Sequence, residues 1–379
     1  MIDNLLFAGG VVGILLTVFL FNKKENQSAN LLLSLAFGAY SIDILYAFLI
    51  INKFYLQYPA LIGWNGVLPF IYSPAIYLYT RVVSSNKKNL EFNYLLHFIP
   101  AMVILIASII GYFTITTEYK LDLLNPDIHK SIFIVIMRSI IPCYGISYII
   151  FSLLDVKKYH QRLKENFSNI EVLKLNWLIY LIFAMALVWA LEFVQILLID
   201  VAGKPDNIFY KYIYLLISLI MFLIVYKSLK QPQIFSEVNF NESEKNEISL
   251  VDSNGSYIKS GLTDDRMDAI AAKLISLIEN EKPYFKSNLS LPDLAELLGV
   301  SSHNLSEVIN TKLNKSFYDF VNYYRVEEVK KMLNDIRFEN YSLLGIGFEA
   351  GFNSKTSFNT IFKKYTGITP SEFRKNSKD

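Results

Sequence analysis

Hydrophobic positions follow two different patterns along the chain. Up to residue 230 they form long apolar runs separated by short polar connections, and beyond residue 263 they recur every third or fourth position among charged and amide residues. A bilayer core of about 30 Å takes roughly 20 apolar residues of helix. Seven runs approach that length, at 5–21, 30–51, 60–83, 94–113, 130–153, 175–199 and 209–229. The first is short, but its interruptions are glycines and Thr17, which membrane helices accept. Pro69, Pro74, Pro100 and Pro142 are expected to kink spans three to five.

The second pattern predicts short amphipathic helices. Thr263 stands as a cap before Asp264 and Asp265, and Met267, Ile270, Leu274, Leu277 and Ile278 then share one face, which predicts a helix over 264–280 that packs on the domain C-terminal to it. Ser290, Pro292 and Gly299 bound a further helix, Ser301 caps the next, and Leu305, Val308 and Ile309 point inward from it. From 316 to 333 the residues Phe317, Phe320, Val321, Tyr324, Val326, Val329 and Leu333 mark one uninterrupted helix. The arrangement then repeats. A helical stretch ends at Gly351, in the place of a left-handed residue, and Asn353 or Ser354 caps another helix whose Phe358, Ile361, Phe362 and Tyr365 face inward. The fold class expected is therefore all-α: a seven-transmembrane-helix bundle over 1–230, a flexible linker over 231–262, and a soluble all-helical domain over 263–379.

Composition agrees with this division. The 379 residues are 53% hydrophobic and only 18% charged, with a mean hydropathy of +0.33, outside the soluble norm. No cleavable leader is apparent, so the first run is read as a span. The single cysteine, Cys143, excludes an intrachain disulfide framework, and neither His97 nor His129 has a second ligand at useful spacing, so no metal is expected. One set of connections carries twelve basic residues: Lys23, Lys24, Arg81, Lys87, Lys88, Lys157, Lys158, Arg162, Lys164, Lys174, Lys227 and Lys230. The alternate set carries five: Lys53, Lys120, Lys130, Lys204 and Lys211. The positive-inside bias then puts the amino terminus outside and the carboxyl-terminal domain in the cytoplasm.

Asp43, Arg138 and Glu192 lie inside apolar runs, where an ionisable residue is costly unless it faces protein, water or a partner. All three fall about 10–12 Å below the outer surface at 1.5 Å per residue, within reach of one another. They form either a structural ion cluster or the floor of an outward-facing sensor pocket walled by Tyr46, Asn65, Gln195 and Tyr214. The spacing alone is compatible with both. Tyr55, Tyr58, Tyr94, Tyr112 and Tyr226 fit interfacial belts and imply no cofactor.

The paired short helices at 290–310 and 342–366 each read as a helix-turn-helix, with 316–333 connecting them. That connecting rod is about 25 Å long at 1.5 Å per residue, suited to holding two reading helices near one turn of DNA apart. The outward residues are Ser302, His303, Asn304, Ser306 and Glu307 in the first unit and Lys355, Thr356, Asn359, Lys363 and Lys364 in the second. Lys355, Thr356 and Asn359 are the candidates for base edges, Lys363 and Lys364 for phosphates, and a solvated helix face is the plainer reading of each lysine. From residue 283 the chain has thirteen Lys and Arg against eleven Asp and Glu, so affinity must rest on placed contacts, pairing of chains or tethering.

Gly351-Phe-Asn-Ser, Phe358, Phe362-Lys-Lys, Gly367 and Thr369-Pro-Ser-Glu-Phe-Arg374 form a specific series, and upstream stand Leu294-Ala295, Leu305-Ser306, Asn310, Phe317 and Tyr324-Arg325-Val326. With these residues the region 283–375 resembles the DNA-binding domain of the AraC/XylS regulators. The resemblance covers about a quarter of the chain and implies two helix-turn-helix units joined by a helix, with transcriptional regulation as the role. Gly347 departs from it, because alanine is common there, and the departure predicts a less stiff helix.

No enzyme signature is found. Gly345-x-Gly347-x-x-x-Gly351 has the wrong last spacing for a dinucleotide loop and follows no strand, and Ser84-x-x-Lys87 is a lone short match. A transporter with a fused regulatory domain remains the alternative, disfavoured by the lack of a visible inverted repeat. The expectation is a multi-pass protein of the bacterial inner membrane that regulates transcription. Its implied partners are double-stranded DNA, the lipid bilayer, an extracellular or small-molecule stimulus and a second copy of the chain.

Overall fold

In a computed structural model the residues described are 2–24, 26–85, 90–122, 132–171, 173–198, 207–230 and 262–376. The expected linker over 231–262 lies outside them apart from Leu262, as do Lys87, Lys88, Lys130, Lys204 and His129. The described residues are helical, with no β-strand beyond one isolated bridge. They divide into two compact units, Met1–Lys157 with Leu175–Asn239 and Lys158–Lys174 with Phe240–Asp379.

The first unit contains α1 (Ile2–Asn22), α2 (Gln27–Ile51), α3 (Pro69–Ser85), α4 (Ile99–Thr114), the short α5 (Thr117–Asp122), most of α6 (Ile132–Asn166), α7 (Asn176–Ile196) and α8 (Asn207–Lys230). Among the described residues, six stretches are long and apolar enough to cross a membrane: Ile2–Asn22, Gln27–Ile51, Pro59–Ser85, Phe92–Thr114, Val135–Asn166 and Asn176–Ile196. They correspond to the first six expected spans. The seventh expected span falls on α8, a 24-residue helix whose described middle, Lys211–Leu223, is apolar. The third and fourth spans begin as 3-10 turns, at Pro59–Leu61 with Trp64–Val67 and at Phe92–Phe98, before α3 and α4 take over. Pro69 and Pro100 therefore open their helices, where no intrahelical bond is lost, and only Pro74 and Pro142 sit inside one.

Helices α1, α2 and α8 pack together, α3 lies against α2, and α7 lies against α8. An ion pair of 2.9 Å between Lys211 and Asp3 joins the starts of α8 and α1, which puts these two ends on the same side of the bundle. Burial selects one face of each helix. Leu32, Leu33, Phe37, Tyr40 and Ile44 of α2 are buried, while α4 leaves Met102, Val103, Ile106 and Ile110 more than half exposed.

The polar residues within the apolar helices are partly brought together. Asp43 is buried and accepts hydrogen bonds from Asn65 Nδ2 at 3.4 Å and Tyr214 Oη at 3.3 Å. Glu192 lies within electrostatic range of both Asp43 and Arg138. Tyr46 turns to the Gly63 amide instead, at 3.1 Å, and Gln195 is buried with no hydrogen-bond partner for its Oε1.

Helices α6 and α7 touch where Gly145 faces the buried Trp189. A Cβ at 145 would overlap the indole ring. Gly145→Ala is therefore expected to cost about 1–3 kcal/mol through overpacking and to shift Trp189 emission. Tryptophan fluorescence during heating in detergent checks this, and an unchanged spectrum and midpoint would show that the ring can move aside.

Candidate nucleic-acid interface

The second unit is built from α9 (Asp264–Glu281), α10 (Leu291–Leu298), α11 (Ser302–Thr311), α12 (Phe317–Leu333), α13 (Leu343–Glu349), α14 (Lys355–Thr366) and α15 (Pro370–Asn376). Each short helix is started by a specific cap. Ser290 and Asp293 form a reciprocal capping box at α10, with Ser290 Oγ accepting from Asp293 N at 3.3 Å and Asp293 Oδ2 accepting from Ser290 N at 3.1 Å. Ser301, Ser316, Ser342 and Ser354 each accept from the amide three residues on, opening α11, α12, α13 and α14. Thr263 occupies the N-cap of α9, but its side chain makes no capping bond.

Two small cores hold these helices. The first joins Leu274 and Ile278 of α9 to Leu294, Leu305, Ile309, Phe317, Phe320 and Val321, so the amphipathic α9 packs on the first helix-turn-helix. Lys312, at the end of α11, adds ion pairs of 2.9 Å to Asp264 and 2.6 Å to Asp268. The second core joins Val326 and Val329 of α12 to Ile346, Ala350, Phe352, Phe358, Ile361 and Phe362. One helix, α12, thus serves both cores.

With the apolar faces committed, the opposite faces of α11 and α14 remain. Ser302, His303, Asn304, Ser306 and Glu307 are half-buried, whereas Lys355, Thr356, Lys363 and Lys364 are exposed and Asn359 is partly so. Lys364 is engaged within the domain: its ammonium meets Asp319 Oδ1 at 2.6 Å, and Tyr365 Oη donates to Asp319 O at 2.9 Å. Burial would raise the Asp319 carboxyl, but the bonds from Lys364 and Ser316 outweigh it and hold the group below the usual carboxylate range. This contact closes one side of a cleft of about 430 Å³ lined by Asn310, Asn314, Lys315, Ser316, Asp319, Lys364 and Tyr365. Lys315, which the face pattern does not single out, lies there with its ammonium 3.8 Å from the Tyr323 ring centroid.

The two helix-turn-helix motifs are fixed to each other at Arg325. Its side chain is fully buried, Nε donates to Tyr284 O at 2.8 Å, and Nη2 donates to Lys286 O at 2.8 Å and Ser287 O at 3.3 Å. Burial pushes its pKa down to about 10, so it stays charged at neutral pH. Gly351, at φ +92°, comes against the same strip of backbone, where a side chain would overlap Tyr284 O and crowd Phe285 O. The turn of the second helix-turn-helix therefore rests on the segment that leads into the first.

Comparison with known proteins agrees with this geometry. The helix-turn-helix domain family matches residues 294–376. This segment is an AraC-type helix-turn-helix domain. An uncharacterised HTH-type transcriptional regulator of Staphylococcus aureus (strain COL) is 33% identical over 91 residues, 24% of this chain and 12% of the relative. The uncharacterised transcriptional regulatory protein YesN of Bacillus subtilis (strain 168) is 34% identical over 109 residues, 28% of each chain. The chain thus spans about an eighth to a quarter of the length of these curated relatives. No solved structure matches it. Likeness to HTH-type transcriptional regulators supports DNA-binding regulation as the role of the AraC-type domain.

Within that domain the signature residues are mostly scaffold. Phe358 and Phe362 are core, Gly351 is the turn, and Thr369 with Glu372 caps α15, with Thr369 N donating to Glu372 Oε2 at 2.7 Å. Arg374 Nη1 donates to Tyr341 O at 2.9 Å, and Nη2 also reaches the carbonyl of Glu339. Gly347 has a packing reason that the sequence did not disclose: a Cβ there would come within 2.9 Å of the Phe358 ring. Gly347→Ala would gain about 1 kcal/mol of helix propensity and lose about 1–3 kcal/mol to overpacking. The net expectation is loosening, read as faster hydrogen exchange across α13 and α14 in the variant; slower exchange would show that propensity wins.

Proposed function

We propose that the protein is a membrane-anchored, one-component transcription regulator that binds double-stranded DNA through α11 and α14. The observation that carries this reading is the pair of capped helix-turn-helix units sharing α12, with Lys355, Thr356 and Asn359 projecting from α14. Each unit directs its second helix outward, as a major-groove reader requires. Lys355, Thr356 and Asn359 take base edges, Lys363 takes phosphate, and Ser302, His303, Asn304 and Glu307 serve the first unit. Lys364, tied to Asp319, contributes to the local potential and to positioning α14. Anchoring is supported by the six long apolar helices and by the large apolar residues that α4 leaves exposed, an arrangement stable in lipid and prone to aggregation in water. Asp43, Arg138 and Glu192 are proposed as the sensor cluster, since ionisable groups within apolar helices are costly unless they serve a partner or a ligand, and Glu192 lies within electrostatic range of both others.

Two outcomes are expected of the full chain in lipid nanodiscs or cells. Binding to DNA from upstream of its own gene is expected to be sequence-selective and to weaken with salt. Lys355→Ala with Asn359→Ala together should weaken that binding by about tenfold or more; gel-shift titration reads it, and equal binding by the double variant would remove α14 as reader. For topology, a cysteine at Gln161 in a Cys143→Ser background should react with a membrane-impermeant maleimide only after the cells are opened. Labelling of intact spheroplasts would reverse the orientation.

A further inference from the structure

The second unit contains a piece of chain remote from it in sequence. Residues Lys158–Lys174, the end of α6 and the turn before α7, group by their contacts with the AraC-type domain. Phe167 pairs in an antiparallel bridge with Ser290. Ser168 donates to Leu289 O twice, from its amide at 3.2 Å and its hydroxyl at 2.6 Å. In return, Ser168 O accepts from Asn322 Nδ2 at 3.0 Å and Arg325 Nη1 at 3.4 Å, and Ser168 Oγ accepts from Arg325 Nη2 at 3.2 Å. Asn169 Nδ2 reaches Asn288 Oδ1 at 3.4 Å. Ser168 is 1% exposed, Ile170 2% and Asn322 0%.

The turn is braced from within. Leu173 N and Lys174 N both donate to Ile170 O, Tyr159 Oη donates to Leu173 O at 2.9 Å, and Lys174 pairs with Glu171 at 3.0 Å. A buried guanidinium, a buried amide and two buried serine polar atoms satisfy one another here, and leaving any of them unpaired costs a desolvation penalty. Such mutual satisfaction marks a built interface. It holds the strip 284–290, the backbone that starts α10 and supports the Gly351 turn.

We propose that residues 167–170 are a docking segment for the DNA reader, which fix the lead-in to the first helix-turn-helix in its DNA-competent shape. Because the segment continues directly into α6 and α7, a change in those helices acts on the reader through this turn as well as through the chain beyond α8. The inference rests on the DNA-binding reading above, and its mechanism is pre-organisation: an ordered 284–290 strip spares the ordering cost on binding.

The test uses the full chain in membranes. In a Cys143→Ser background, Asn169→Cys with Asn288→Cys should be joined by a short bismaleimide, so that the two pieces stay together after cleavage at a protease site engineered between residues 240 and 260. Either cysteine alone should give separate pieces, and separate pieces from the double variant would overturn the docking. Ile170→Asp should then speed hydrogen exchange at 286–290 while leaving α14 protected, and weaken DNA binding by about tenfold. Ser168→Ala, a milder change that keeps the fold, should move both readouts in the same direction. Unchanged exchange and affinity in both variants, or tighter DNA binding, would overturn the proposal. If the wild-type chain binds no DNA, the functional reading fails, while the cross-link and exchange still decide the docking.

Discussion

A buried guanidinium whose hydrogen bonds run to neutral acceptors organises the C-terminal unit. The hydrogen bonds of the Arg325 guanidinium run to carbonyl oxygens, to the Asn322 amide and to the Ser168 hydroxyl, all neutral acceptors. Such a group is tolerable only if dipoles are arranged around it in advance. That requirement dictates where the 284–290 strip runs, why Gly351 has to come close, and why a serine from a distant turn is drawn in. The two small apolar cores meet on α12, and Asp319 ties that helix to Lys364 and Tyr365. The arginine adds a common wall, the backbone strip that both it and Gly351 meet.

Much of this was legible in the sequence, and the limits come from physics. The helices of the second unit stand where three- and four-residue spacing puts them, because short helices with serine caps and left-handed glycine stops are specified locally; Ser290, Ser301, Gly299 and Gly351 carry that information in their own neighbourhoods. Six long apolar helices were readable for the same reason, since twenty apolar residues in a row have few other stable fates than a helix in lipid or in a protein core. Arg325 was visible only as part of a family series. Nothing local says that a lysine-, tyrosine- and glutamate-rich helix buries its arginine while leaving its lysines outside. The Ser168 contact was out of reach, because it pairs residues more than a hundred and fifty positions apart. Gly347 taught a narrower lesson: a residue that looks like a loss of helix stiffness makes room for the Phe358 ring.

The candidate interface was legible in part. Inward residues identify the outward face by subtraction, which correctly left Lys355, Thr356 and Lys363 at the surface. Subtraction cannot see partners from other helices. Lys364 belongs to the outward face by angle, yet Asp319 at the start of α12 claims it. The polar residues of the apolar helices show the same division: their depths implied a meeting of Asp43, Arg138 and Glu192 with Asn65 and Tyr214 nearby, whereas the donation of hydrogen bonds to Asp43 by those two, and not by Tyr46 or Gln195, required the fold.

The neutral surroundings of Arg325 also separate two sensitivities. Contacts between lysines and phosphates compete with dissolved ions and fade as ionic strength rises. A guanidinium held by buried dipoles depends on hydrogen bonds that dissolved ions do not screen. The hold of Ser168 on Arg325 and the proposed hold of the reader on DNA thus answer to different variables, one to packing and the other to salt. A rise in ionic strength would weaken the proposed contact with DNA and leave the Ser168–Arg325 hydrogen bonds in place.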